Sequence, residues 1–447
     1  MENKTIVAIA TPIGTGGVGI IRLSGNKSLE IAKTIFTSFG KQEIEPRKAI
    51  FGRVEFENCT DDCLLIYFKS PKSFTGEDVV EIQMHGGVFL LNQTLNQLIK
   101  NGATMAEPGE FSKRAVMNGK MDITQAEALI DMINSQSVAE MKIASSQMRG
   151  QLKEKLMQIS NELLEQIAII EVALDYPEHE EAQTQLKLEE TLPAILEEIY
   201  KLINTQQLGQ SIKNGITVAL AGLPNVGKSS LLNALLGYER AIVTDIEGTT
   251  RDTLSESYLY NGVRFNVIDT AGIRESSDKV EQQGIQRAIQ SQKEADIVLH
   301  IIDNNIKNNT ILQKNATLLQ NLGTNCTNLV TVLNKTDLEN NENIKYDIAI
   351  SAKNKINIEN LKQLIFDKTI NKQTMQEVNI ITNARQADLL NKASQSLSQA
   401  IVDLSNYSLD CVAILVKQTW ELIGQITGET SSEDIINIIF SKFCLGK

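Results

Sequence analysis

At 447 residues the chain is too long for one ordinary domain, and two to four are expected. Its 42% apolar and 22% charged residues fit a folded globular protein and exclude a disordered or fibrous one. A net charge of −12 excludes a surface that attracts nucleic acid as a whole, so an RNA partner needs a local basic patch. The five cysteines (Cys59, Cys63, Cys326, Cys411, Cys444) are scattered and odd in number, which suits reduced thiols better than a disulfide framework. There is no N-terminal apolar signal region and no run of ~18 apolar residues, so a cytoplasmic protein without a membrane partner is expected.

From the N-terminus, Thr5 to Ala10 and Val18 to Leu23 are expected strands around a Pro- and Gly-rich turn. Within that turn Gly14-Thr-Gly16-Gly-Val-Gly19 matches the dinucleotide-binding spacing. The last glycine should then open a helix, but Ile20-Ile21-Arg22-Leu23 continues as strand, and the match is rejected. A helix is expected from Ser28 to Phe36 and further strands at Ile50–Phe56, Cys63–Phe68 and Val79–Met84, giving a mixed α+β domain of about 115 residues. Glu110 and Arg114 stand one helical turn apart and can pair. Cys59 and Cys63 have no second cysteine pair near them and only three histidines in the whole chain, which favours free thiols over a metal site. Composition alone assigns this domain no function.

From Ile123 to about Gln207 the pattern turns helical. Leu156, Ile159, Leu163, Ile167, Ile170 and Leu174 form one stripe, Pro177 breaks it, and Leu192 to Ile203 gives another helix. The glutamates crowding this region are expected on a solvated helix face. Helical periodicity returns with Leu389 to Leu404 and Cys411 to Ile423, and Ser431-Ser-Glu-Asp434 resembles a helix start before Ile435–Phe440. Two helical blocks around a compact α/β unit suggest an insertion, with the blocks packing together as one helical domain; two separate helical modules satisfy the pattern as well.

The α/β unit opens with Ile216-Thr-Val-Ala-Leu-Ala-Gly222-Leu-Pro-Asn225-Val226-Gly227-Lys228-Ser229-Ser230, a strand, a G-x-x-x-x-G-K-S loop and a helix start. Gly222 and Gly227 let the backbone curl so that successive N–H groups point at phosphate oxygens, and the helix adds the positive end of its dipole. Lys228 is placed for the β/γ-phosphates and Ser229 for Mg²⁺. Val243 to Asp252 has the polar, glycine-bearing composition of a switch, with Thr250 placed to sense Mg²⁺ and γ-phosphate. Asp269-Thr270-Ala271-Gly272 ends a strand. Asn334-Lys335-Thr-Asp337 ends another, and its aspartate can accept two N–H bonds from a guanine edge. Ser351-Ala352-Lys353 ends the last strand beside the base. Each tetrapeptide alone is weak; in this order, each at a strand end, they identify a GTPase domain. Where many GTPases place a water-orienting glutamine this chain has Ile273, so another group must position the water; Arg274, Glu275, Asp278 and Glu281 lie just beyond. Arg251 is either an internal arginine finger or a surface ion-pair partner.

Four further stretches resemble the MnmE (TrmE) family of tRNA modification GTPases, and the resemblance covers essentially the whole chain. They are TPIGTGGVGIIRLSG near the start, SFTGEDVVEIQMHGG, AEPGEFSKRAVMNGKMDITQAEA and the terminal FSKFCLGK, all outside the GTPase domain. The resemblance implies an N-terminal tetrahydrofolate-binding and dimerisation domain over 1–118, helical parts over 119–211 and 374–447, and an inserted P-loop G domain over 212–373. It implies a homodimer working with the flavoprotein MnmG (GidA) to add an aminomethyl or carboxymethylaminomethyl group at C5 of wobble uridine in tRNA. The one-carbon unit would come from a 5-formyl- or 5,10-methylene-tetrahydrofolate. Carried onto matching positions, Arg22, Glu81, Lys120 and Lys447 would contact the folate, and Cys444 matches a family cysteine of open role.

In the G domain the resemblance implies potassium where other GTPases use an arginine finger, held by Asn225, Thr244, Ile246 and Thr249. Asp245, Glu247, Gly248 and Thr250 complete that switch loop. Glu281 matches the family's water-positioning glutamate, which answers the puzzle of Ile273. The family usually has isoleucine where this chain has Leu445, a swap that nearly conserves volume. A rival reading is a regulatory ribosome-assembly GTPase without RNA chemistry. Such proteins usually carry a basic module, whereas Thr374 to Lys447 holds five Lys/Arg against eight Asp/Glu.

Overall fold

The structure, a computed structural model, describes residues 4–41, 43–56, 59–237, 256–269, 295–305, 328–338, 344–370, 379–430, 433–441, 443 and 446, with 313, 315, 317 and 320 of one further helix. The chain divides into two compact units, 1–130 with 156–172 and 413–447, and 131–155 with 173–412.

In the first unit seven strands form one sheet: β1 (Ile6–Ile9), β2 (Gly16–Ser24), β3 (Phe36–Ser38), β4 (Ala49–Phe56), β5 (Cys59–Phe68), β6 (Val79–Gly86) and β7 (Thr104–Met105). Their order is β3-β4-β5-β6-β2-β1-β7, antiparallel throughout except for β1 beside β7. Alternation along each strand sends Val7, Leu23, Val54, Leu65 and Ile82 into a core closed by Leu91, Leu95 and Leu98 of helix Val88–Lys100. The expected strands are all present, and Gly16 to Gly19 of the rejected dinucleotide loop lie in β2, where the register with β6 shifts, with Gly14 and Thr15 in the turn before it. The helix expected through Phe36 stops at Lys33. Phe36 is drawn into β3 because its ring fills the space over Gly52, where a Cβ would lie 2.5 Å from the ring; packing overrides helical pattern there.

Chain ends meet in this unit. Helix Glu433–Phe440 packs on helix Glu110–Met117, and Phe440 and Phe443 are buried with Ala126, their rings 4.6 Å apart. Gly109, at φ 69, admits the approach: a Cβ there would stand 2.6 Å from the Phe440 carbonyl oxygen. Gly446, at φ 89, lies against the Ile9 carbonyl of β1.

The second unit holds a six-stranded sheet of β8 (Ile216–Ala221), β9 (Glu256–Tyr260), β10 (Val263–Asp269), β11 (Ile297–Asp303), β12 (Leu329–Asn334) and β13 (Ile348–Ala349). The order is β13-β12-β11-β8-β10-β9, parallel except for the β9–β10 hairpin. After β8 the chain forms the edge strand β9, returns as β10 beside β8, then crosses to β11 on the other side. The carboxyl ends of β8 and β11 therefore frame the crevice where open α/β sheets bind ligands. Helices before and after this sheet pack together: Gln185 Nε2 donates to the Leu404 carbonyl (3.0 Å), Gln147 Nε2 to that of Ile380 (2.7 Å), and Ile381 N to Thr205 Oγ1 (3.0 Å). Residues on both sides of the α/β sheet thus share one helical layer, as an insertion requires. Pro177 ends the first long helix, Gln151–Asp175, and opens the next as its first residue; that helix runs on to Asn204, longer than the expected Leu192–Ile203.

Candidate nucleotide-binding site

β8 delivers the phosphate loop into the crevice. Gly222 takes φ 152, and a Cβ on it would sit 2.6 Å from the Ile301 carbonyl of β11, so only glycine lets the loop leave the strand beside its neighbour. Asn225 (φ 65) and Gly227 (φ 97) complete the curl, and helix Lys228–Leu236 begins directly after. Its first turn carries Lys228, Ser229 and Ser230, the two serines exposed, and a helix N-terminus favours an anion. Lys228 is only 8% exposed and donates to the carbonyls of Gly222 (2.8 Å) and Leu223 (2.9 Å), which holds its ammonium over the loop.

Three motifs far apart in sequence are joined at one buried amide. Asn334, at the end of β12, donates from Nδ2 to the Val226 carbonyl of the phosphate loop (2.9 Å). Its Oδ1 accepts from Ala352 N (3.0 Å). Beside it Lys335, at φ 66, reaches the Asn225 carbonyl (2.9 Å) and Asp303 Oδ2 (2.6 Å). Ser351 Oγ donates to Asp337 Oδ1 (2.5 Å), which holds the Asp337 carboxyl below its ordinary range and fixes one of its oxygens. Lys353 is exposed at the same end of the sheet. Asn225, Val226, Gly227, Lys228, Ser229, Ser230, Asn334, Lys335, Asp337, Ser351, Ala352 and Lys353 therefore lie at one end of the sheet. For Asp269 the strand end is described and its side chain is not. Thr244, Asp245, Ile246, Glu247, Gly248, Thr249, Thr250, Thr270, Ala271, Gly272 and Glu281 lie outside the described residues, as does Arg251.

A second group lies on the N-terminal sheet. Arg22 on β2 and Glu81 on β6 are register partners and pair side by side, at 2.9 Å from Nε and 2.8 Å from the second guanidinium nitrogen. The guanidinium also lies 5.8 Å from the Phe74 ring centre and 5.7 Å from that of Phe111. Lys120 donates to the Pro71 carbonyl (3.0 Å) and packs beside Gly76. Cys444 and Lys447 lie outside the described residues, but Gly446 between them touches β1. The Glu110–Arg114 pair forms at 2.7 Å, and Arg114 also binds Glu77 (3.0 Å). Cys63 is a free thiol, as expected, and burial pushes it up to about 12.

Residues 123–444 match the MnmE helical domain and residues 5–120 match the GTP-binding protein TrmE N-terminus. The tRNA modification GTPase MnmE of Caldicellulosiruptor saccharolyticus is 41% identical over 464 residues, spanning 100% of both chains. The chain belongs to the MnmE family of tRNA modification GTPases. Its MnmE relative from Streptococcus sanguinis is 40% identical over 100% of this chain and 99% of its own. The relative from Clostridioides difficile is 38% identical over the same shares. Membership brings a GTP site with its Mg²⁺, and among the described residues no helix is long and apolar enough to cross a membrane.

Two features of this MnmE-family pocket escaped sequence reasoning. β11 is the central strand that Gly222 packs against, and its Asp303 anchors Lys335. Its signal was present, in Ile297-Val-Leu299 and Ile301-Ile302 either side of His300 and ending in Asp303-Asn304, but no motif marks it.

Proposed function

We propose that this chain couples GTP hydrolysis to one-carbon modification of the wobble uridine in tRNA. The observation that carries it is the Asn334 node, which holds the phosphate loop, the guanine motif and the Ser351–Lys353 loop in one rigid constellation. On the base, the Asp337 carboxylate accepts the two N–H groups of guanine. On the phosphates, the loop N–H groups and Lys228 neutralise β/γ charge, and Ser229 with Thr250 is assigned to Mg²⁺. Asn225, Thr244, Ile246 and Thr249 are assigned to K⁺, an extra cation for charge that develops as the γ-phosphate leaves. Asn225 supports this, being exposed in the loop with its backbone held at φ 65. Glu281 is assigned to the attacking water, with Asp269 to Gly272 beside the γ-phosphate.

In the N-terminal domain Arg22, Lys120 and Lys447 would take the anionic tail of a 5-formyl- or 5,10-methylene-tetrahydrofolate, and Glu81 its pterin N–H groups. Glu81 as the pterin partner is supported by the Arg22 guanidinium, which holds it at 2.8 Å and lies near the Phe74 and Phe111 rings, a carboxylate close to flat apolar walls. Tetrahydrofolate would supply the one-carbon unit, and Cys444 is assigned to the same site. We assign residues 1–118 to this folate-binding and dimerisation domain, 119–211 and 374–447 to the helical domain, and 212–373 to the G domain. The flavoprotein MnmG, tRNA and a second copy of the chain are the proposed partners, in the cytoplasm. The ribosome-assembly alternative is not favoured, since full-length MnmE relatives match throughout.

Mass spectrometry of tRNA from cells lacking the protein tests the reading. Loss of the aminomethyl-type groups from wobble uridine is expected, and unchanged uridines would refute it. Replacing K⁺ by Na⁺ should lower GTP hydrolysis at least tenfold, and Asn225→Ala should remove the difference; equal rates in both salts would remove the potassium assignment.

A further inference from the structure

We infer that the β9–β10 hairpin is the mechanical link between the nucleotide pocket and the helical layer, with Arg264 as its positioning residue. The inference rests on the GTPase reading above. β10 ends at Asp269 beside the phosphate loop, and Arg264 stands five residues upstream, about 17 Å along an extended strand. Val263, Phe265 and Val267 are locked in the sheet core, so β10 moves as a unit with its neighbours. The alternate positions, Arg264 and Asn266, meet the helices instead.

The polar contacts described at this end fall at helix termini or in the short connection before one. Ala139 N, in the first turn of helix Val138–Met148, donates to the Gly262 carbonyl at the hairpin tip (2.9 Å). Helix Gln206–Asn214 runs into β8, and its last carbonyls are capped from β10: Arg264 donates to Lys213 O (3.1 Å) and Asn266 Nδ2 to Asn214 O (2.9 Å). A second guanidinium nitrogen donates to Gln136 Oε1. The hairpin thus supplies an acceptor to one helix start and donors to another helix end. Any shift of β10 along its axis changes both caps at once.

One pair at this junction is left open. Glu140 Oε2 accepts from Gln136 N (2.8 Å) as part of the helix cap, while Oε1 faces Arg264 Nε at 3.7 Å. Both atoms are buried and make no hydrogen bond among the described residues. A displacement of about 0.8 Å converts this into a charged hydrogen bond of ordinary length. Space for Glu140 to move exists, since a cavity of about 180 Å³ lies against it on the side of Asp131, Asn134, Ile143, Lys213 and Thr382. A nearly closed ion pair, two shared caps and a void give the junction a second arrangement a short step away.

Hydrogen exchange of the full-length protein, with GDP and then with a non-hydrolysable GTP analogue, tests the link without requiring tRNA. The Ala139 amide should differ in exchange rate at least tenfold between the two nucleotides. Arg264→Ala and Glu140→Gln should each abolish that difference while leaving the GTP hydrolysis rate within about twofold. Equal exchange at Ala139 with both nucleotides bound, or a difference that survives both substitutions, would overturn the link. Failure to bind either nucleotide would instead overturn the GTPase reading and take the link with it.

Discussion

At the nucleotide pocket most of the working groups belong to the main chain: the curl from Gly222 to Gly227, the carbonyls that hold Lys228 and Lys335, and the helix N-terminus. On the N-terminal sheet they belong to side chains. Arg22 and Glu81 come from different strands, Phe74 from a loop and Phe111 from a helix. A backbone cradle demands particular residues at consecutive positions, because only some residues adopt its dihedral angles. A side-chain cluster demands only that distant positions be brought to one place. The first leaves a contiguous signature in the chain, and the second leaves none.

The sharpest way to break this contrast is Lys228→Ala. It removes the one side-chain cation the main-chain cradle cannot replace, and GTP hydrolysis should fall by about two to three orders of magnitude. Steady-state phosphate release measures it; a loss under tenfold would mean that the loop's N–H groups carry the phosphates alone. Asp337→Asn comes next. It exchanges an acceptor-only carboxylate for an amide, and GTP affinity should weaken roughly ten- to hundredfold, about 1.5–3 kcal/mol for a charged hydrogen bond lost. Ser351→Ala should act on the same group through its titration. The Ser351 hydroxyl holds Asp337 below its ordinary value, so binding that needs the carboxylate ionised is kept above that value and lost only as pH falls through it. Without the hydroxyl the acid limb of GTP binding should move to higher pH. Nucleotide titrations from about pH 5 down to about pH 3 would show it, and superimposable curves would remove Ser351 from the account.

Arg22→Ala probes the other region. Tetrahydrofolate affinity should drop about tenfold or more while GTP hydrolysis stays within twofold, by calorimetry and phosphate release on one preparation. Parallel losses would mean that the two sites are not built independently.

The same contrast governs what was legible in the sequence. The G-x-x-x-x-G-K-S loop, Asn334 to Asp337 and Ser351 to Lys353 could be placed, because each sits where a strand ends and each residue type has a chemical reason. Asn334 as the common tie could not, since its two partners lie 108 and 18 residues away. β11 and Asp303 were missed for lack of a turn motif, and β3 because Phe36 continues a helical pattern that the space above Gly52 overrules. Arg22 and Glu81 were mute to composition and periodicity; only family resemblance named them, and the β2–β6 register supplies the physical reason they meet.

Two histidines carry the contrast to its smallest effect. His85, at the end of β6, is exposed and donates from Nδ1 to Asp61 Oδ1 at 2.6 Å, which raises its pKa. His300, at the centre of β11, is fully buried with neither ring nitrogen hydrogen-bonded among the described residues, and burial pushes it down to about 4. His300 is therefore neutral in the folded chain at pH 6, where an unfolded chain already begins to bind a proton. Its depressed value favours folding fully above about pH 6.5, and that contribution is lost as pH falls from there toward 4, at most about 3 kcal/mol. His300→Leu keeps an apolar group of similar size and removes the titration. The urea midpoint of the variant relative to the parent should rise steadily as pH falls from 7 to 4.5. A constant offset across that range would mean that His300 binds its proton in the folded sheet as readily as in the unfolded chain. His85→Leu should show the opposite sign: a raised pKa adds stability at low pH that fades as pH rises through it, so this variant should fall further behind the parent on acidification.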